Sequence, residues 1–286
     1  MLKNTHHVLT ISCPDVIGIV ASVATFLVDH GANIVDSSQF GDRSTGLFFM
    51  RVHFELNPDV CDIKNLQTDF LTLAQRFTMN WDICCVGKKK RVLVMVSRFG
   101  HCLNDLLYRF RAGVLNGELV AVVSNHQDFK SLVEWHNIPF FYLPVDKNNK
   151  DEQEARLLSL IAEQEIDVVV LARYMQILSE DLCEKLKGRC INIHHSFLPS
   201  FKGASPYKQA YERGVKLIGA TAHYVTSNLD EGPIIEQGVE RVDHSYAPQA
   251  LEALGKDMEC VVLARALTYH LEQRVLINGN KTVVLK

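Results

Sequence analysis

The 286-residue sequence predicts an α/β protein in two parts. Residues 1–86 read as a small ferredoxin-like βαββαβ domain, 87–90 as a linker, and 91–286 as a doubly wound, mostly parallel sheet. Three observations carry this. The first part alternates strand and helix periodicity in the order βαββαβ. Val168 to Ala172 is an unbroken apolar run, the signature of a strand buried on both faces. After Lys88-Lys89-Lys90, short apolar runs alternate with helical segments, which requires a parallel sheet.

His7 to Ser12 alternates as a strand. After the turn Cys13-Pro14-Asp15-Val16-Ile17-Gly18, Ile19 to His30 is helical, with Val20, Val23, Ala24 and Leu27 at helical spacing. Gly31 stops it. Asn33–Phe40 and Leu47–Glu55 are strands joined by Gly41 to Gly46. A helix over Val60–Phe77 and a strand over Met79–Val86 complete the order. The basic run Lys88 to Lys90 is a solvated linker. Beyond it, strands are expected at Arg91–Ser97, Leu119–Ser124, Phe140–Leu143 and Val168–Ala172. Helices alternate with them at His101–Arg111, Phe129–Trp135 and Asp151–Glu165, the last with acidic residues at its dipole-favoured end. A long helix from Pro248 to Gln273 carries Leu251, Leu254, Met258 and Val261 as its expected core stripe. Val275 to Leu285 reads as a hairpin about Asn278-Gly279-Asn280.

Composition narrows the functions. A formal net charge of −3 argues against a general nucleic-acid or membrane-surface binder. The N-terminus lacks the charged, apolar, small order of a signal peptide, and no apolar run reaches membrane-spanning length. The eight cysteines form no CxxC pair, so reduced thiols in a cytoplasmic protein are expected, with no metal and no cofactor.

The candidate chemistry lies between Ile191 and Gln237. In the strand Cys190 to His194, Asn192 and His194 point to one face. A Pro/Gly-containing segment, Phe197 to Gly203, follows as a wall or lid. The strand Gly219 to Val225 then runs into the turn Asn228 to Pro233, which carries Asp230. An amide donor, an imidazole and a carboxylate together suit acyl or formyl transfer. Ligands of such sheets sit beyond the strand C-termini. This places Ser97 to Gly100, Arg173 to Leu178 and Asn192 to His195 on one rim. Ser196, merely adjacent to His195, has no triad geometry and is assigned no role.

Two resemblances follow from these residues. Cys13 to Val20, within its βαββαβ order, resembles the strand-to-helix turn of ACT domains, which bind amino acids; a purely structural ferredoxin-like domain fits the same order. The resemblance implies an effector site near Asp15 and Gly18, with glycine or methionine as the signal, and homo-oligomers. Asn192-Ile193-His194 with Pro199, Gly203 and Asp230-Glu231-Gly232-Pro233 resembles the folate-dependent formyltransferase fold family, which includes glycinamide ribonucleotide formyltransferase. This implies Asn192, His194 and Asp230 as catalytic residues and Met175, Gln176, Ile177 and Leu178 as the folate-binding segment. Gln176 stands where that enzyme often has Arg. His223, also in a family position, serves either the site or the core.

That enzyme's Gly-rich phosphate loop is here Ser97-Arg98-Phe99-Gly100-His101-Cys102, retaining only Gly100 as a substrate-binding candidate. A phosphorylated acceptor is thereby disfavoured. The chain therefore resembles the formyltetrahydrofolate-hydrolysing, ACT-bearing branch of the family. The implied reaction converts 10-formyltetrahydrofolate and water to formate and tetrahydrofolate, balancing the one-carbon pool that feeds purine biosynthesis. In that scheme Asn192 and a charged His194 stabilise the oxyanion, and Asp230 orients or deprotonates water. The alternatives are a formyltransferase with a non-phosphorylated amine acceptor, and a regulatory binding protein without activity.

Overall fold

The computed structural model describes residues 5–198 and 206–286, which form two compact units. Pro199 and Gly203, and most of the expected wall or lid, lie outside the described residues.

The first unit contains β1 (Thr5–Pro14), α1 (Ile19–Asp29), β2 (Ala32–Asp42), β3 (Leu47–Leu56), α2 (Ile63–Arg76) and β4 (Asn80–Cys85). Its antiparallel sheet has the order β2-β3-β1-β4, as the βαββαβ reading requires. Alternation buries Leu9 and Ile11 of β1 with Val23 and Leu27 of α1 and Leu66 and Phe70 of α2. Phe70 meets Phe26 and Trp81 edge-on, with ring centroids 5.2 and 4.8 Å away.

The second unit runs from Lys90 to Leu271. It contains β5 (Lys90–Val96), α3 (His101–Arg111), β6 (Gly117–Ser124), α4 (Lys130–Trp135), β7 (Phe140–Tyr142), α5 (Lys150–Glu163), β8 (Val168–Leu171), α6 (Glu180–Lys185), β9 (Cys190–His194), α7 (Pro206–Arg213), β10 (Leu217–Tyr224), β11 (Ile234–Arg241) and α8 (Pro248–Leu271). The sheet order is β11-β10-β9-β8-β5-β6-β7. The strands from β7 to β9 are parallel, and β10 and β11 extend the edge antiparallel. All four residues of β8 are buried, as its apolar run demands.

Three expectations need correction. Lys90 pairs with Gly117 and so opens β5, rather than ending a linker. Of the expected α8 stripe only Leu251 is buried; Leu254, Met258 and Val261 are half-buried. The inward face instead runs through Gly255, Glu259, Val262 and Ala266. Gly255 is there because Tyr207 packs on its Cα, where a Cβ would meet the ring at 2.2 Å.

The third correction concerns the tail. Residues 272–286 belong to the first unit, so the second ends at Leu271 rather than 286. The hairpin β12 (Val275–Asn278) and β13 (Lys281–Val284) forms about Gly279, whose φ is 59°. Two strands alone are marginal in water. This pair gains cover because Val283 and Leu285 pack on Phe49 of β3. Asn278 Nδ2 also donates to Asp42 Oδ2 at 2.7 Å, and Arg51 Nε to the Glu272 carbonyl at 3.2 Å.

Candidate active site

The strand β9 ends at the site, and antiparallel register determines its neighbours. Asn192 lies opposite His223 of β10, and His194 opposite Thr221. Directly opposed residues share a face, so Asn192 and His223 touch. The Asn192 Nδ2 to His223 Nε2 distance is 3.2 Å, and His223 Nδ1 lies 2.9 Å from the Tyr224 carbonyl. A carbonyl only accepts, so Nδ1 carries the proton. Nε2 then accepts from Asn192, which turns the amide nitrogen to His223 and leaves its second N–H free for a ligand.

Asp230 closes the arrangement from the turn after β10. Its φ of 57° is left-handed, a conformation Asp tolerates better than most residues. Gly232 makes the turn possible, since a Cβ there would overlap the Tyr224 carbonyl. Asp230 Oδ2 lies 3.2 Å from His194 Nδ1, and Oδ1 3.7 Å from His223 Nε2. The hydrogen bond from His194 outweighs burial and holds the carboxyl well below its ordinary range. Asp230 is therefore ionised. His194 Nε2, across the ring from Asp230, is buried without a partner. Neighbouring His195 is lowered to about 4, first by burial and then by Arg173, and is neutral.

These groups open onto a cavity of about 650 Å³ within the second unit. Met175, Gln176, Ile177 and Leu178 form one wall; Asn192, His194, His223 and Asp230 line another part. Met175 and Ile177 are exposed, a half-formed apolar wall that suits a flat ring. Ser97 holds this wall: its N–H donates to the Arg173 carbonyl, and its Oγ accepts from Met175 N at 2.9 Å while donating to Asn125 Oδ1 at 2.7 Å. Thr221 anchors the chain after β9, accepting from Leu198 N and donating to the Ser196 carbonyl.

Gly100 is the exception among the expected site residues. It does not line the cavity. It caps α3, and a Cβ there would meet the Phe129 ring at 2.4 Å, so its smallness serves packing. In the first unit, Asp15 N donates to the Gly46 carbonyl and Gly18 caps α1 with φ 98°. No side chain caps that helix, so the turn presents backbone N–H groups.

His101, Cys102 and Glu259 bring possible metal-ligand atoms within 4.8 Å of one another. A cation there would meet the Arg173 guanidinium, whose Nε is already 3.4 Å from Glu259 Oε2. Burial acts to raise Glu259, but the hydrogen bond from His101 and the charge of Arg173 hold it below its ordinary value. The donor set is thus built around an internal ion pair.

Sequence reasoning did not single out Ser97, Thr221, Arg173 or Glu259 as parts of this arrangement. Arg173 and Ser97 stood on the expected rim; Glu259, a charge inside an apolar helix, gave no signal beyond its misplaced polarity.

Comparison with known proteins agrees with the two-part architecture. Residues 90–267 match the formyl transferase family model and residues 7–60 the ACT domain model. The formyltetrahydrofolate deformylase of Corynebacterium sp. (strain P-1) is 53% identical, with all of both chains covered. That of Bacillus subtilis is 49% identical over 96% of this chain and 92% of its own. The crystal structure of the Burkholderia mallei formyltetrahydrofolate deformylase superposes with a TM-score of 0.95 at 48% identity, covering 99% of this chain and 100% of that one. With both domain models in order and the likeness running end to end, the chain belongs to the formyltetrahydrofolate deformylase family.

Proposed function

We propose that the chain hydrolyses 10-formyltetrahydrofolate to formate and tetrahydrofolate. The observation that carries this is the convergence of Asn192, His194 and Asp230 on a cavity with an apolar wall at Met175 to Leu178. The pterin lies against that wall and the formyl oxygen meets the free N–H of Asn192. A carboxylate held as low as Asp230 is a weak base, so it orients water and balances charge. The proton passes to His194 Nε2 as water attacks, and then to the leaving nitrogen. No metal or other cofactor takes part in this scheme. Loss of the Asn192 donor costs about a hundred- to thousandfold in turnover.

Water is the acceptor because the Ser97 to His101 loop offers no phosphate cradle; Gly100 is occupied by Phe129. The test is formate release from 10-formyltetrahydrofolate in buffer alone. An absolute requirement for an added amine, with the formylated amine as product, would favour a formyltransferase instead.

The same reading places the enzyme in the cytoplasm, at the balance of one-carbon folates that serves purine synthesis. All eight cysteines are free thiols, which fits a reducing compartment. No described helix is long and apolar enough to cross a membrane. The first unit senses an amino acid, glycine or methionine, near Asp15 and Gly18 and pairs with a second copy. The exposed Val20 and Val28 of α1 and Val35 and Phe40 of edge strand β2 support that pairing.

A further inference from the structure

Arg173 follows β8 by two residues, with φ 64°. A long side chain in the left-handed region is strained and persists only where its surroundings over-determine it. They do so here. The Ala172 N–H donates to the Met95 carbonyl at 2.8 Å and the Ser97 N–H to the Arg173 carbonyl at 3.2 Å. The strained backbone directs the side chain inward: it is 10% exposed and lines the catalytic cavity.

Once there, the guanidinium is poorly served. Nε is buried without a hydrogen-bond partner. Its nearest anion, Glu259, is 3.4 Å away and off hydrogen-bond geometry. The two Glu259 oxygens already accept from His101 at 2.7 Å and Tyr207 at 2.8 Å. Phe99 lies beneath the guanidinium at 5.3 Å, covering a face but satisfying no N–H. Among the described residues, none accepts a hydrogen bond from this side chain. Glu259 balances its charge, and Arg173 lines the same cavity as Asn192, His194 and His195.

A buried, hydrogen-bond-poor guanidinium matches a planar carboxylate held by two parallel N–H groups. We infer that Arg173 anchors a subsite for a small carboxylate, and that its ligand is the formate released at the adjacent site. This rests on the hydrolytic reading. In that reaction the water oxygen bonds to the formyl carbon, the carbon–nitrogen bond breaks, and the nitrogen takes one proton. The second proton leaves the formic acid, so the product next to Arg173 is an anion. The other carboxylates available are those of the folate's own glutamyl tail.

The test is equilibrium binding of [13C]formate to the full-length protein, followed by NMR, with and without saturating tetrahydrofolate. Saturable formate binding in both conditions is expected. Arg173→Met should weaken it about ten- to a hundredfold while leaving tetrahydrofolate affinity within about twofold; Arg173→Lys, which keeps the charge and loses the fork, should fall between. Absence of saturable formate binding to the wild-type protein overturns the subsite whether or not any variant folds. So does unchanged formate affinity in a folded Arg173→Met. Displacement of formate by tetrahydrofolate, together with weakened tetrahydrofolate binding in the variant, overturns it by assigning Arg173 to the folate tail. Because no turnover is involved, a protein that binds formate in this way but releases none from 10-formyltetrahydrofolate supports the subsite and refutes only the hydrolytic reading.

Discussion

Asp230 couples a backbone requirement to a charge requirement, and the two can be separated. Its left-handed φ is tolerated by Asn as well as by Asp. Asp230→Asn should therefore keep the turn and the folate affinity while removing the carboxylate charge beside His194. Turnover is expected to fall by about a hundredfold or more, read in parallel with tetrahydrofolate binding; near-normal turnover would dismiss the carboxylate. His223 calls for a different experiment, because its ring contacts Asn192. His223→Phe keeps a ring but removes the acceptor that orients the amide at 3.2 Å. The expected loss is about tenfold in kcat with little change in KM. Asn192→Ala combined with His223→Phe should cost no more than Asn192→Ala alone. Multiplying losses would show that His223 works independently.

At the scale of elements, legibility followed the kind of information each feature needs. Asn192 and His194 were readable because strand alternation is local, and Asp230 because turn chemistry is local. Supporting contacts such as Asn192–His223 depend on the pairing register of β9 with β10, which a single strand does not encode. The stripe of α8 was misplaced because its inward face includes Gly255 and Glu259, and hydrophobic periodicity skips both. The same helix ends in a pH-dependent contact. His270 Nδ1 meets Tyr224 OH at 2.7 Å, and burial first, then Lys90, lowers its pKa to about 3. A histidine with a depressed folded pKa contributes fully above its unfolded value near 6.5, and that contribution declines as pH falls toward 3. His195, lowered to about 4, acts in the same direction. Between pH 8 and pH 5 each should remove about 2 kcal/mol of stability. Urea midpoints measured across this range should fall with acid, and more shallowly in His270→Gln. An unchanged slope would mean that folding does not shift the pKa of His270.

The whole molecule poses a question that neither unit answers alone: where it can be divided. The chain leaves the first unit at Lys89 and returns to it at Glu272, so a cut near Lys88 does not separate the parts cleanly. A fragment of residues 90–286 keeps β12 and β13 but loses Phe49, exposing Val283 and Leu285. Burial of such side chains contributes roughly 1.5–3 kcal/mol each, and uncovering them leaves an adhesive two-stranded edge. A fragment of residues 90–271 retains the seven-stranded sheet and every residue lining the cavity, from Leu171 to Glu231. The shorter fragment should therefore be the better behaved, remaining monodisperse in size-exclusion chromatography with light scattering while the longer one self-associates. It should also release formate from 10-formyltetrahydrofolate without responding to glycine or methionine. Full amino-acid sensitivity in residues 90–271 would move the sensor out of the first unit. A soluble 90–286 beside an insoluble 90–271 would show that the hairpin supports the second unit after all.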